Sequence, residues 1–226
     1  VIRLPLIALA VCLPVIATAQ GFDGAYISVE TLGQSSGDNT GDITYSGGAQ
    51  VSFGPGFALS GDLTSYGFET MRGNATSATL HGSYALNPIS AVGAFYGFDR
   101  YDGDQDAFYG VEGQASFSGA TVEAFLGQAE VDTAEATMYG LSGQFVFGTI
   151  GLTADYAAID DDRSVNRFSL GGEWYMGLGP TFYAEWGKLG GDIDEDYLAL
   201  GVRIGIGPTA GTTFGPRSVT EITAGF

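Results

Sequence analysis

Apolar and polar residues trade places at every second position along most of this chain, in segments of about ten residues separated by turns. In "AFYGVEGQASFSG", one face carries Tyr109, Val111, Gly113, Ala115 and Phe117, and the other carries Gly110, Glu112, Gln114 and Ser116. A strand's side-chain period is two, so this pattern admits β-strands and excludes amphipathic helices. Twelve such segments are predicted: 24–33, 42–54, 57–66, 77–86, 90–99, 107–118, 120–130, 137–148, 150–159, 165–176, 180–188 and 196–206. The apolar face recurs as Ile43, Tyr45, Val51 and Phe53, as Tyr139, Leu141, Phe145 and Phe147, and as Leu198, Leu200, Val202 and Ile204.

Alternation alone also fits a soluble sandwich or a lipocalin-type barrel with its apolar face turned inward. Two further features favour the opposite orientation. Aromatic residues gather near strand ends on the apolar face (Tyr109, Phe117, Tyr139, Phe147, Phe168 and Trp174), where a membrane–water boundary favours them. Tyr109 to Phe117 covers eight steps of about 3.3 Å, which a tilt of ~40° reduces to about 20 Å, close to the ~25 Å apolar band of an outer membrane. The turns also come in two alternating kinds. "GPG", "NPIS", "SGA", "GTI" and "GLGP" are short, whereas "GQSSGDNTGD", "GFETMRGNATS", "DRYDGDQD", "EVDTAEA", "DDDRS" and "LGGDIDED" are longer and hold most of the 26 acidic residues. Short periplasmic turns and longer external loops are the layout of a transmembrane barrel.

The expected fold is therefore all-β: an antiparallel up-and-down transmembrane barrel over residues 20–206, with its apolar face toward lipid. In hydrocarbon only a closed sheet satisfies every backbone group. Both ends of such a barrel lie on one side, so the strand count is even. Twelve strands leave residues 207–226 as a C-terminal extension. Reading that segment as a terminal strand requires one more strand elsewhere and gives fourteen.

Residues 1–19, with Arg3, an apolar run and Ala-Thr-Ala before Gln20, have the layout of a secretory signal peptide. Cys12, the only cysteine, falls inside that leader, so neither a disulfide framework nor a thiolate metal site is expected. A net charge of −18 argues against nucleic acid as a partner. The expected surroundings are outer-membrane lipid and lipopolysaccharide. No cofactor or metal is expected: the alternating carboxylates Asp102, Asp104 and Asp106, and Asp192, Asp194 and Asp196, lack the spacing of an EF-hand loop.

The stretches "YGLSGQFVFGTIGLTADYAAID", "FSLGGEWYMGLGPTFYAEWG" and "DYLALGVRIGIG" resemble the late hairpins of alphaproteobacterial outer-membrane porins, Gram-negative β-barrels. The resemblance implies passive transport across the cell outer membrane. No loop is long enough to serve as the internal sieve of general porins, so no functional residue carries over. Phe226 resembles the terminal aromatic by which assembly machinery recognises such barrels, which makes that machinery an expected partner of the C-terminal region.

The expected lumen-lining charges are Glu30, Asp62, Glu112, Glu123, Asp155, Glu173 and Glu185, against Arg167, Lys188 and Arg203. A pore so lined favours cations. A filled structural barrel without conductance is the alternative, because small barrels are packed by their own side chains. An outer-membrane hydrolase is a third reading. His81 and Ser83, two apart on one strand face, resemble the arrangement in the outer-membrane phospholipase, but no orienting third group stands out and no catalytic residue is assigned.

Overall fold

The computed structural model describes residues 20–34, 40–67, 74–131, 134–160, 164–177, 179–192 and 194–224. The leader expected over 1–19, and Phe226, lie outside them. Twelve strands form one closed antiparallel barrel: β1 Gln20–Gln34, β2 Thr40–Phe53, β3 Phe57–Gly67, β4 Asn74–Asn87, β5 Ser90–Tyr101, β6 Asp104–Phe117, β7 Ala120–Val131, β8 Ala134–Phe147, β9 Ile150–Asp160, β10 Ser164–Tyr175, β11 Thr181–Gly191 and β12 Glu195–Ile206. Each strand pairs with its neighbours in sequence, and β1 closes on β12 from Ala25↔Ile206 to Gln34↔Tyr197. A short helix, α1 (Val219–Ala224), follows the last strand.

The two faces divide as the alternation requires. Val111 is 59% exposed on the outer surface, while its neighbour Glu112, facing inward, is 5% exposed. Phe145, Leu200, Leu126 and Leu152 are likewise exposed on the outer face. So are Tyr109, Phe117, Phe147, Phe168 and Trp174; Tyr139 leans on Tyr156 there and donates to Asp160 at 3.0 Å. An apolar belt this continuous is far larger than the few hundred Å² a water-soluble monomer exposes. Together with the closed sheet, it makes the protein an outer-membrane barrel.

Inside, glycine and aromatic residues interlock across neighbouring strands. Tyr197 lies over its cross-strand partner Gly187, Tyr183 over Gly201, Phe108 over Gly97, and Phe125 over Gly140. A Cβ on Gly187 or Gly201 would sit 2.1 Å from the facing tyrosine ring. Many of the 37 glycines thus make room for rings that fill a narrow barrel.

The β5–β6 connection differs from expectation. Tyr101 pairs with Asp104, so "DRYDGDQD" is no longer loop: only Asp102 and Gly103 turn, with φ of 48° and 100°. Positive φ at both positions is the two-residue hairpin geometry that Asp-Gly favours. Asp99, near the end of β5, is buried and faces inward.

Candidate functional site

The residues after β12 build the site. At Gly207, with φ 85°, the chain leaves the wall where a Cβ would meet the Phe22 ring at 2.6 Å, and Thr209 N donates to the Asp23 carbonyl at 3.0 Å. From there it runs into the lumen. Thr213 N donates to Gln50 on β2 at 2.7 Å, and its carbonyl accepts from Gln114 on β6 at 2.6 Å. Only a segment threaded inside the barrel can bond to β2 and β6 at one residue. Residues 219–224 are helical, so no thirteenth strand forms among the described residues.

Arg217 anchors this segment. Its Nη2 donates to Glu112 Oε2 on β6 at 3.0 Å and to Glu123 Oε1 on β7, and its guanidinium carbon lies 4.6 Å from the Phe125 ring centre. Burial works against this charge, but Glu123 and Glu112 more than offset it and hold the guanidinium above its ordinary pKa. The Arg217 carbonyl accepts from Thr79 at 2.7 Å and Ser77 at 3.3 Å, both on β4.

Ser218 then caps α1: its Oγ accepts from Glu221 N at 3.1 Å and donates to Asp99 at 2.8 Å, while Thr220 N donates to the same carboxylate at 2.6 Å. Glu221 accepts from Arg167 at 2.9 Å, and Arg167 also lies 3.6 Å from Glu185. Burial pushes the Glu221 carboxyl up, against the pull of Arg167. Val219 and Ile222 pack with Phe95, Phe108, Met138 and Ile159.

The space left over is a cavity of about 920 Å³, bounded by both wall and tail. Glu30, Glu123, Asp155, Arg167, Glu173, Glu185 and Arg203 line it, as the strand alternation predicts. Arg203 lies 5.6 Å from the Tyr26 ring centre and 5.7 Å from that of Tyr183. Asp62 and Glu112 also face inward but are buried around His81, whose Nδ1 is 2.8 Å from Glu112 and whose Nε2 is 3.4 Å from Asp62. Lys188 is a correction. It sits on the outward side with Phe182 and Trp186, because inward positions in β11 are odd-numbered, and it pairs with Asp194 at 2.6 Å.

The cavity reaches the short-turn end, where Gly177, Gly179 and Gly207 border it. Toward the loop end, inward-facing Leu32, Tyr66, Met138, Ile159, Leu189 and Tyr197 are buried. His81 and Ser83 form no hydrolytic pair: the imidazole is held between two carboxylates, and Ser83 Oγ donates to the Ala58 carbonyl at 3.5 Å.

Sequence reasoning overlooked Asp99, Gln50, Gln114, Arg217 and Glu221. Arg217 and Glu221 carried a signal, being the only charged residues among the last twenty.

The structure aligns with KdgM porin in complex with disordered oligogalacturonate at a TM-score of 0.62 and 11% identity, covering 79% of this chain and 98% of that one. The fold is that of a twelve-stranded outer-membrane β-barrel. NanC porin aligns at 0.56 and 9% identity, covering 80% of this chain and 98% of its own. Outer membrane phospholipase A from Escherichia coli aligns at 0.58 and 12% identity, covering 80% and 96%. No family model and no curated protein sequence matches the chain.

Proposed function

We propose that this barrel is a channel for passive diffusion of small cationic or neutral solutes across the outer membrane, and that its C-terminal segment is the gate. The observation that carries this reading is the space of about 920 Å³ between a charged wall and a segment that non-covalent contacts hold against it. A barrel filled for structure alone would need no such space.

Cation preference follows from the wall, where Glu30, Glu123, Asp155, Glu173 and Glu185 outnumber Arg167 and Arg203. That balance disfavours a polyanion such as the oligogalacturonate in the KdgM complex. The likeness of the late hairpins to alphaproteobacterial porins supports the same reading. Catalysis is disfavoured because His81 is fully buried and engaged by Glu112 and Asp62. Lipid and lipopolysaccharide surround the belt, and assembly machinery would engage the C-terminal region before it docks.

The second reading, a filled structural barrel, draws on the buried apolar side chains at the loop end. Planar-bilayer recordings separate the two. The channel reading expects discrete conductance steps with a cation-selective reversal potential. Silence under all voltages, or anion selectivity, ends it.

A further inference from the structure

The environment of Arg217 receives an arginyl group chiefly through side chains of the barrel wall. Glu112 and Glu123 supply two carboxylates to one guanidinium nitrogen, Phe125 and Phe95 offer ring faces at 4.6 and 5.9 Å, and Thr79 and Ser77 donate to the residue's carbonyl. Glu112 is buried with His81 against its other oxygen, so without Arg217 its free oxygen is left to water or to another cation. The tethered occupant also fits imperfectly: Arg217 Nε is buried without a hydrogen-bond partner, and Nη1 reaches only its neighbour's Pro216 carbonyl at 3.3 Å. A planar fork pairs best with two carboxylates when it is free to orient.

We propose that this wall pocket is a binding site for a small guanidinium-bearing solute with a neighbouring carbonyl, such as an arginine amide, which competes with Arg217 and releases the tail. Entry of that solute through the lumen rests on the channel reading; the binding itself does not. Tethering sets the competition. A short linker gives a second group an effective concentration of order mM, so the free solute acts on the intact protein only at or above that level.

The test uses the full chain carrying Arg217→Ala, with methylguanidinium as the probe and methylammonium as the control of equal charge without the fork. Methylguanidinium at non-denaturing concentration should raise the thermal midpoint of R217A, leave wild type unchanged, and bind about tenfold more tightly than methylammonium. Adding E112Q and E123Q should abolish the shift. Equal effects of the two cations, or a shift that survives E112Q/E123Q, overturn the site. Should R217A fail to fold, L-argininamide on wild type decides: faster proteolysis of the C-terminal segment than with lysinamide supports the site, and equal rates refute it. Conductance of R217A without ligand reports on the channel alone. A silent R217A that still prefers methylguanidinium sinks the channel and keeps the site; a conducting R217A without that preference does the reverse.

Discussion

Replacing Arg217 by Met keeps much of the stem that packs on Phe125 but removes the guanidinium from between Glu112 and Glu123. The Arg217 side chain is 7% exposed and that of Glu112 is 0% exposed, so water does little to replace the lost partner while the tail stays docked. Breaking one side of a buried ion pair costs about 3–5 kcal/mol. His81 still compensates one oxygen of Glu112, and Glu123 borders the cavity with its side chain 13% exposed, which places this case at about 3 kcal/mol. Undocking lets both carboxylates hydrate, so the penalty falls on the closed state alone. At 1.4 kcal/mol per decade, the ratio of open to closed barrels rises by a factor of about one hundred. Single-channel recordings of R217M in planar bilayers read that ratio directly, with heat-modifiable gel mobility confirming that the barrel is folded. An open fraction within about threefold of wild type, in folded protein, would refute the reasoning that this ion cluster holds the segment in place.

Two other substitutions probe the wall. Gly201→Val places side-chain atoms where Tyr183 now lies and should lower the urea midpoint in detergent by the equivalent of about 1–3 kcal/mol, whereas Gly113→Ala, with no atom but the Ala91 carbonyl within 4 Å, should change it little. Val111→Arg puts a charge at the middle of β6 on the lipid side and should cost about 2–4 kcal/mol in lipid-based unfolding, while Ser142→Arg, facing the cavity, should cost far less.

What the sequence disclosed was whatever obeys a period of two. The twelve strands, the outward positions of Val111, Phe145 and Leu200, and the inward positions of Glu30 and Asp155 all follow from alternation, because one register fixes every side chain in a strand. Lys188 was misplaced by a single step of that register, two residues beyond the outward Trp186. The Asp102-Gly103 turn was hidden among the acidic residues around it, although Asp-Gly is a strong hairpin signal. The docked segment was beyond reach for a different reason. Nothing local in "GPRSVTEI" points to Glu112, Glu123, Asp99 or Arg167; those partners lie 54 to 121 residues away and meet it only once the barrel closes.

Docking of the C-terminal segment inside the barrel is tested most directly by joining it to the wall. Ser218 and Asp99 meet at 2.8 Å, so cysteines at both positions, in a background with Cys12 replaced by Ser, should form an intramolecular disulfide on oxidation of the folded protein. The oxidised barrel should be electrically silent and should regain openings on reduction. Folded barrels that form no crosslink, or that conduct equally whether crosslinked or reduced, would contradict a segment that sits in the lumen and gates it.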